Sequence, residues 1–145
     1  MNNGHPINSK PSNEFLMRIV HEDILPCMNF ENAKLAEEIL AGIRVNSLEI
    51  EPINESDMTK KTCILSNEYR LCPYQLRTSE SAVWITISLL VRNRIAAVCD
   101  FFTYLRYLSL GIIKGDLKDC YYEIITLRKN MALARLGLDF VPRST

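Results

Sequence analysis

A chain of 145 residues is long enough for one domain with a real core and too short for two of ordinary size. A hydrophobic share of 48% against 23% charged excludes wholesale disorder, and seventeen basic side chains against seventeen acidic ones remove the bulk charge with which a protein grips nucleic acid or an anionic membrane surface. Five cysteines, behind an N-terminus that lacks a basic and apolar leader, predict reduced thiols in the cytoplasm, and the longest aliphatic run, around Ala82 to Val91, falls well short of the roughly 20 residues that span a bilayer.

Residues 1 to 12 are polar, with Gly4, Pro6 and Pro11, and read as a disordered lead-in to a single domain over 13 to 140, with a short tail at 141 to 145. Phe15, Leu16, Ile19, Val20 and Ile24 recur at helical spacing, with Ser12 or Asn13 as N-cap and Pro26 marking the end. A second helix is predicted from Asn29 or Glu31. Ala33, Leu35, Ala36, Ile39, Leu40 and Ile43 cover one side of it, and Glu31, Lys34, Glu37 and Glu38 the other.

Ser47 to Pro52 alternates apolar and polar residues and ends at proline, as a short extended segment does. Ile53 to Lys61 reads as a polar loop, Lys61 to Arg77 as short strands or irregular structure, and Trp84 to Ser88 as one more strand. From about Arg92 to Leu110 a long helix carries Ile95, Val98, Cys99, Phe102 and Leu105 on one stripe and Phe101, Tyr104 and Leu108 on a second. Gly111 is its C-cap signal and Asp116 the N-cap of a last helix that sends Tyr121, Ile124, Leu127 or Arg128, and Met131 toward the core before Gly137 stops it. A connection this short makes the two helices antiparallel. The predicted fold class is mainly α with minor β: a compact helical domain with a C-terminal antiparallel hairpin and a small extended or β element.

Cys63, Cys72, Cys99, Cys120 and His21 suggest a zinc site only loosely, because structural zinc gathers its ligands in close Cys-x-x-Cys-like pairs and none occurs here. Core or irregular-segment thiols are the better reading, with Cys99 on an apolar stripe. Two histidines, no nucleophile elbow and singly scattered glycines give no triad and no phosphate loop, so no catalytic residue, metal or cofactor is expected. The aromatic and basic residues of the hairpin carry the functional reading: Tyr104, Arg106, Tyr107, Arg128 and Lys129 are the candidate partner-binding residues, since tyrosine and arginine are favoured at binding hot spots. Burial of the aromatics against the N-terminal helices is the competing reading, preferred for Phe102, and dipole complementation competes for the basic residues at the end of the last helix.

Cys99, Phe101, Thr103, Tyr104, Arg106 and Tyr107, followed by a leucine-arginine-lysine helix that finishes in Leu136-Gly137, resemble the extreme C-terminal domain of the Rabin, GRAB and Sec-two exchange factors for Rab GTPases. Phe15 to Asp23, Pro26-Cys27, Asn46 to Pro52 and the Cys63 to Cys72 spacing extend the resemblance over residues 14 to 140, while Val91 stands where relatives carry cysteine, which weakens any shared zinc site. The resemblance implies a role in vesicle delivery and exocytosis. It does not transfer exchange activity, which in the family resides in a parallel coiled coil absent here. The implied function is a protein-contact or regulatory module, partnered by a Rab GTPase, a trafficking or tethering protein, or a coiled-coil exchange factor. The implied location is the cytoplasm, at secretory vesicles through partners, with neither nucleic acid nor a transmembrane segment. Alternatives are a divergent or truncated exchange factor and a zinc-stabilised module. On the contact reading, alanine at Tyr104 plus Arg106 weakens binding without lowering the melting temperature.

Overall fold

The Ser12 hydroxyl accepts the Phe15 amide at 3.2 Å and starts α1, Asn13–Ile19, as its N-cap. The computed structural model describes residues 12–54, 56, 59–113 and 115–143, so nearly all of the lead-in expected over residues 1 to 12 lies outside the described residues. The first helical stretch ends at Cys27, one residue past the Pro26 expected to mark its end, but it is not a single regular helix. It passes through a π-helical turn, Val20–Ile24, into a last short turn, α2, Leu25–Cys27. The Leu25 amide bonds to the carbonyl of Val20, five residues back, immediately before a proline that has no N–H to give. The widened turn makes room for the ring, which would otherwise clash with the carbonyl four residues upstream.

The second long helix, α3, Ala33–Arg44, is capped by Asn32 and so starts slightly later than the Asn29 or Glu31 expected. The Asn32 side chain is the reason: its oxygen accepts the Leu35 amide at 3.2 Å while its nitrogen donates to the carbonyl of Ile64 at 3.3 Å. Ala36, Ile39 and Ile43 are buried as the periodicity requires, whereas Ala33 is exposed.

Five short strands follow: β1 Glu49–Pro52, β2 Lys60–Thr62, β3 Tyr69–Leu71, β4 Tyr74–Arg77 and β5 Ile85–Ile87. They form an antiparallel sheet in the order β1-β4-β5 and a separate β2-β3 hairpin. In the larger sheet Ile50 lies opposite Leu76, and Leu76 opposite Ile85, so alternation puts these on the inner face with Ile87. The same register places Glu49 opposite Arg77, at 2.6 Å, on the outer face.

Helix α4, Leu89–Ser109, starts three residues before its predicted first turn, because Ser88 caps it by accepting the Val91 amide at 3.3 Å. Helix α5, Leu117–Arg135, opens in a capping box in which Asp116 and Asp119 bond each other's backbone amides. Gly111 and Gly137 follow these two helices at φ +69° and +73°, the left-handed conformation that closes a helix end. The helices run antiparallel: a Cβ on Gly137 would sit 3.9 Å from Leu90, while Tyr104 lies beside Cys120. Their shared core holds Val98, Phe101, Leu108, Ile124, Leu127 and Met131, each buried, at about 2 kcal/mol of stabilisation per large side chain. Phe102 packs against this core only partly buried, so Phe101 is the anchor there. The observed fold is mainly α with minor β, as the sequence predicts. No helix among the described residues is long and apolar enough to cross a membrane.

Candidate protein-contact surface

The hairpin positions the five candidate residues in three different ways. Tyr104 is 9% exposed and forms part of the core. Burial pushes its phenol well above the usual range, with the Cys120 thiol and the acidic Glu123 and Asp119 adding to the effect. Arg106 donates to the carbonyl of Ile43 at 3.4 Å and thereby ties α4 to the last turn of α3. Arg128 is half-buried, with Nε 2.6 Å from Asp23 and Nη2 2.7 Å from Glu22, so it joins α5 to the π turn. Tyr107, 44% exposed, and Lys129, also exposed, are the two that present most of their surface to solvent. A double substitution of Tyr104 and Arg106 therefore removes packing and an inter-helix tie, and the expectation that it leaves the melting temperature unchanged is withdrawn.

The row that sequence reasoning missed lies on the outer face of α5. Cys120, Ile124, Leu127, Met131 and Ala134 face inward at helical spacing. One step round the helix, Leu117, Tyr121 and Ile125 stand 66%, 60% and 42% exposed, and the next residue at the same interval of four is Lys129. Tyr121 thus belongs to the exterior, contrary to its assignment to the core. The available signal was the second i, i+4 series, offset from the buried one. Beside it, the Lys118 ammonium lies 5.9 Å from the ring centroid of Tyr122, which is also exposed.

The cysteines are buried or half-buried single thiols. Burial raises Cys27 to about 11, where its thiol donates to the Met131 carbonyl at 3.1 Å, and raises Cys99 to about 12. At Cys63 burial acts in the same direction but is outweighed by the Ser66 side chain and the backbone amides of Ser66, Ser88 and Leu65, which leave the thiol below its ordinary value. Among the described residues no three His, Cys, Asp or Glu side chains gather closely enough to hold a metal ion.

These features define a mainly α-helical domain with two small antiparallel sheets, whose exposed hairpin chemistry is aromatic, aliphatic and basic. The chain belongs to the Rabin 8-like C-terminal domain family, whose profile matches residues 3–138. It is 37% identical over 134 residues to the human "Guanine nucleotide exchange factor for Rab-3A", covering 85% of this chain and 35% of that protein. The protein of the same name from Bos taurus is 34% identical over 142 residues, covering 85% of this chain and 36% of the relative. The "Rab guanine nucleotide exchange factor sec2" of Aspergillus fumigatus is 28% identical over 147 residues, covering 88% and 21%. The chain spans about a third of the length of the mammalian relatives it matches.

Proposed function

We propose that this chain is a protein-contact module of the Rab exchange-factor family, acting in vesicle traffic and exocytosis from the cytoplasm and reaching secretory vesicles through its partners. The partner is a Rab GTPase or a trafficking or tethering protein. The observation that carries the proposal is the exposed row Leu117, Tyr121, Ile125 and Lys129, on a helix whose opposite face is fully used by the core. A rigid aromatic flanked by aliphatic side chains and a cation supplies the apolar centre and polar rim of a small interface. Tyr107 adds an exposed phenol on the companion helix.

Affinity capture from secretory-cell extract, followed by mass spectrometry, tests the proposal with the native chain and a Tyr121→Ala, Ile125→Ala variant. Recovery of Rab GTPases or tethering proteins by the native chain, lost in a variant of unchanged melting temperature, is expected. Equal recovery by both, or of neither protein class, overturns it.

The relatives' names favour a second reading, a divergent or truncated exchange factor. Acceleration of nucleotide release from a secretory Rab by the isolated chain distinguishes that reading from the first.

A further inference from the structure

At the open end of the hairpin, away from its connecting turn, a cavity of about 190 Å³ opens between the β2-β3 connection, the first turns of α4 and the end of α5. Its charge is unbalanced. Glu68, on the wall, is answered by Arg70 at 2.5 Å, whereas neither Arg94 nor Arg135 meets a carboxylate within ion-pair distance among the described residues. Arg94 donates instead to three main-chain carbonyls, those of Cys27 at 2.9 Å, Pro26 at 3.0 Å and Asn29 at 3.1 Å, and its guanidinium lies 4.2 Å from the centroid of the Phe30 ring. These neutral acceptors close the end of α2 and leave the positive charge in place. Burial lowers the Arg94 pKa, and repulsion from Arg135 adds to that, so the two like charges feel one another.

Two further features of the same cavity favour an anion. The hydroxyl of Ser66 is buried and makes no hydrogen bond of ordinary geometry among the described residues, although its influence still lowers the Cys63 thiol pKa. The wall also includes Ser88, Leu90 and Val91, the start of a 21-residue helix whose N-terminal end carries positive partial charge. The last carbonyls of α5, in the same lining, are partly satisfied by the residues that follow. Leu136, Gly137 and Leu138 donate to the carbonyls of Ala132, Ala134 and Leu133, respectively. Leu90 and Leu136, 38% and 65% exposed, supply an apolar rim.

We propose that this cavity binds an acidic side chain of a protein partner, its carboxylate between Arg94, Arg135 and the first turn of α4, and the neighbouring apolar residue of the partner on Leu90 and Leu136. Size and lining select this ligand class. A volume of about 190 Å³ is below the roughly 300 Å³ at which small-molecule sites begin and suits one or two side chains. The leucine rim also offers a peptide contact that an inorganic anion does not use. The site is separate from the outer row of α5, so it can fail without affecting the function proposed above.

Fluorescence anisotropy on the folded chain tests it with a labelled leucine-glutamate-leucine-glutamate peptide, the matching glutamine peptide, and unlabelled inorganic phosphate as competitor. The acidic peptide should bind about tenfold more tightly than the glutamine one, and about tenfold more tightly than to Arg135→Glu or to Ser66→Ala plus Arg135→Ala. Affinity should also fall as salt rises from about 50 to about 500 mM. Arg135 is exposed, so its substitution spares the fold, which the melting temperature verifies. Equal binding of the two peptides, or no change in Arg135→Glu, overturns the proposal. Displacement of the acidic peptide by phosphate at equal concentration overturns the peptide assignment in favour of a bare anion site.

Discussion

The guanidinium of Arg128 lies 2.6 Å from the carboxylate of Asp23, across 105 residues of chain, and fixes the last helix against the π turn of the first. Glu22 takes the second arm at 2.7 Å. A forked cation held by two adjacent carboxylates loses its geometry in any other side chain, lysine included. Arg128→Ala should cost about 2 kcal/mol, and Arg128→Lys about half of that, measured as urea midpoints at unchanged slope. A cost near zero for alanine would show that the clasp is a surface pair of no consequence.

The same clasp predicts a dependence on pH. Hydrogen bonds from Arg18 and Arg128 hold the Glu22 carboxyl below its ordinary 4.5. A carboxylate with a lowered folded-state pKa contributes stability that is fully present above its unfolded value and lost as pH falls through the lowered one. Melting temperatures of the native chain and Glu22→Gln should therefore differ above pH 4.5 and converge below it. A difference that persists at the acidic end would contradict the ion-pair origin.

Tyr104 and Tyr107 offer opposite outcomes on one helix. Tyr104→Ala empties a buried site and should cost about 3 to 5 kcal/mol, while Tyr107→Ala, at an exposed position, should stay within about 0.5 kcal/mol. Thermal unfolding of the two variants checks this, and similar losses from both would mean that the end of α4 is packed differently.

Much of the architecture was legible because it is written in short-range chemistry. Ser12, Gly111, Asp116 and Gly137 act at the helix ends where their side chains, or the absence of one, are needed. The alternation at Ser47 to Pro52 and at Trp84 to Ser88 became β1 and β5. What escaped was long-range. Arg94 and Arg106 bond main-chain carbonyls 65 or more and 63 residues away in sequence, respectively, and no local pattern marks an arginine for that task. Pro26 rightly marked the end of the first helical stretch to within a residue, but the π turn that accommodates its ring has no sequence signature of its own. Tyr104 and Tyr121 were misplaced for one reason: each helix has apolar residues on more than one face, and periodicity alone does not choose which face the neighbour covers.

Cys27 and Cys99 should be slow nucleophiles. Reactivity follows the thiolate, and Cys27 and Cys99, raised to about 11 and about 12, hold almost none near pH 8. Alkylation with iodoacetamide at that pH, followed by peptide mass spectrometry, should leave both unmodified until denaturant is added, when all five cysteines react. Rapid modification of Cys99 in the folded protein would place it in a more open environment than α4 provides.

A domain that acts by contact alone does not itself open a nucleotide site. The direct measurement is release of a fluorescent GDP analogue from purified Rab-3A, followed with increasing amounts of the isolated chain. A contact module leaves the release rate at its buffer value at every concentration. A rate that climbs with the chain would contradict contact alone and make the domain an exchange factor in its own right.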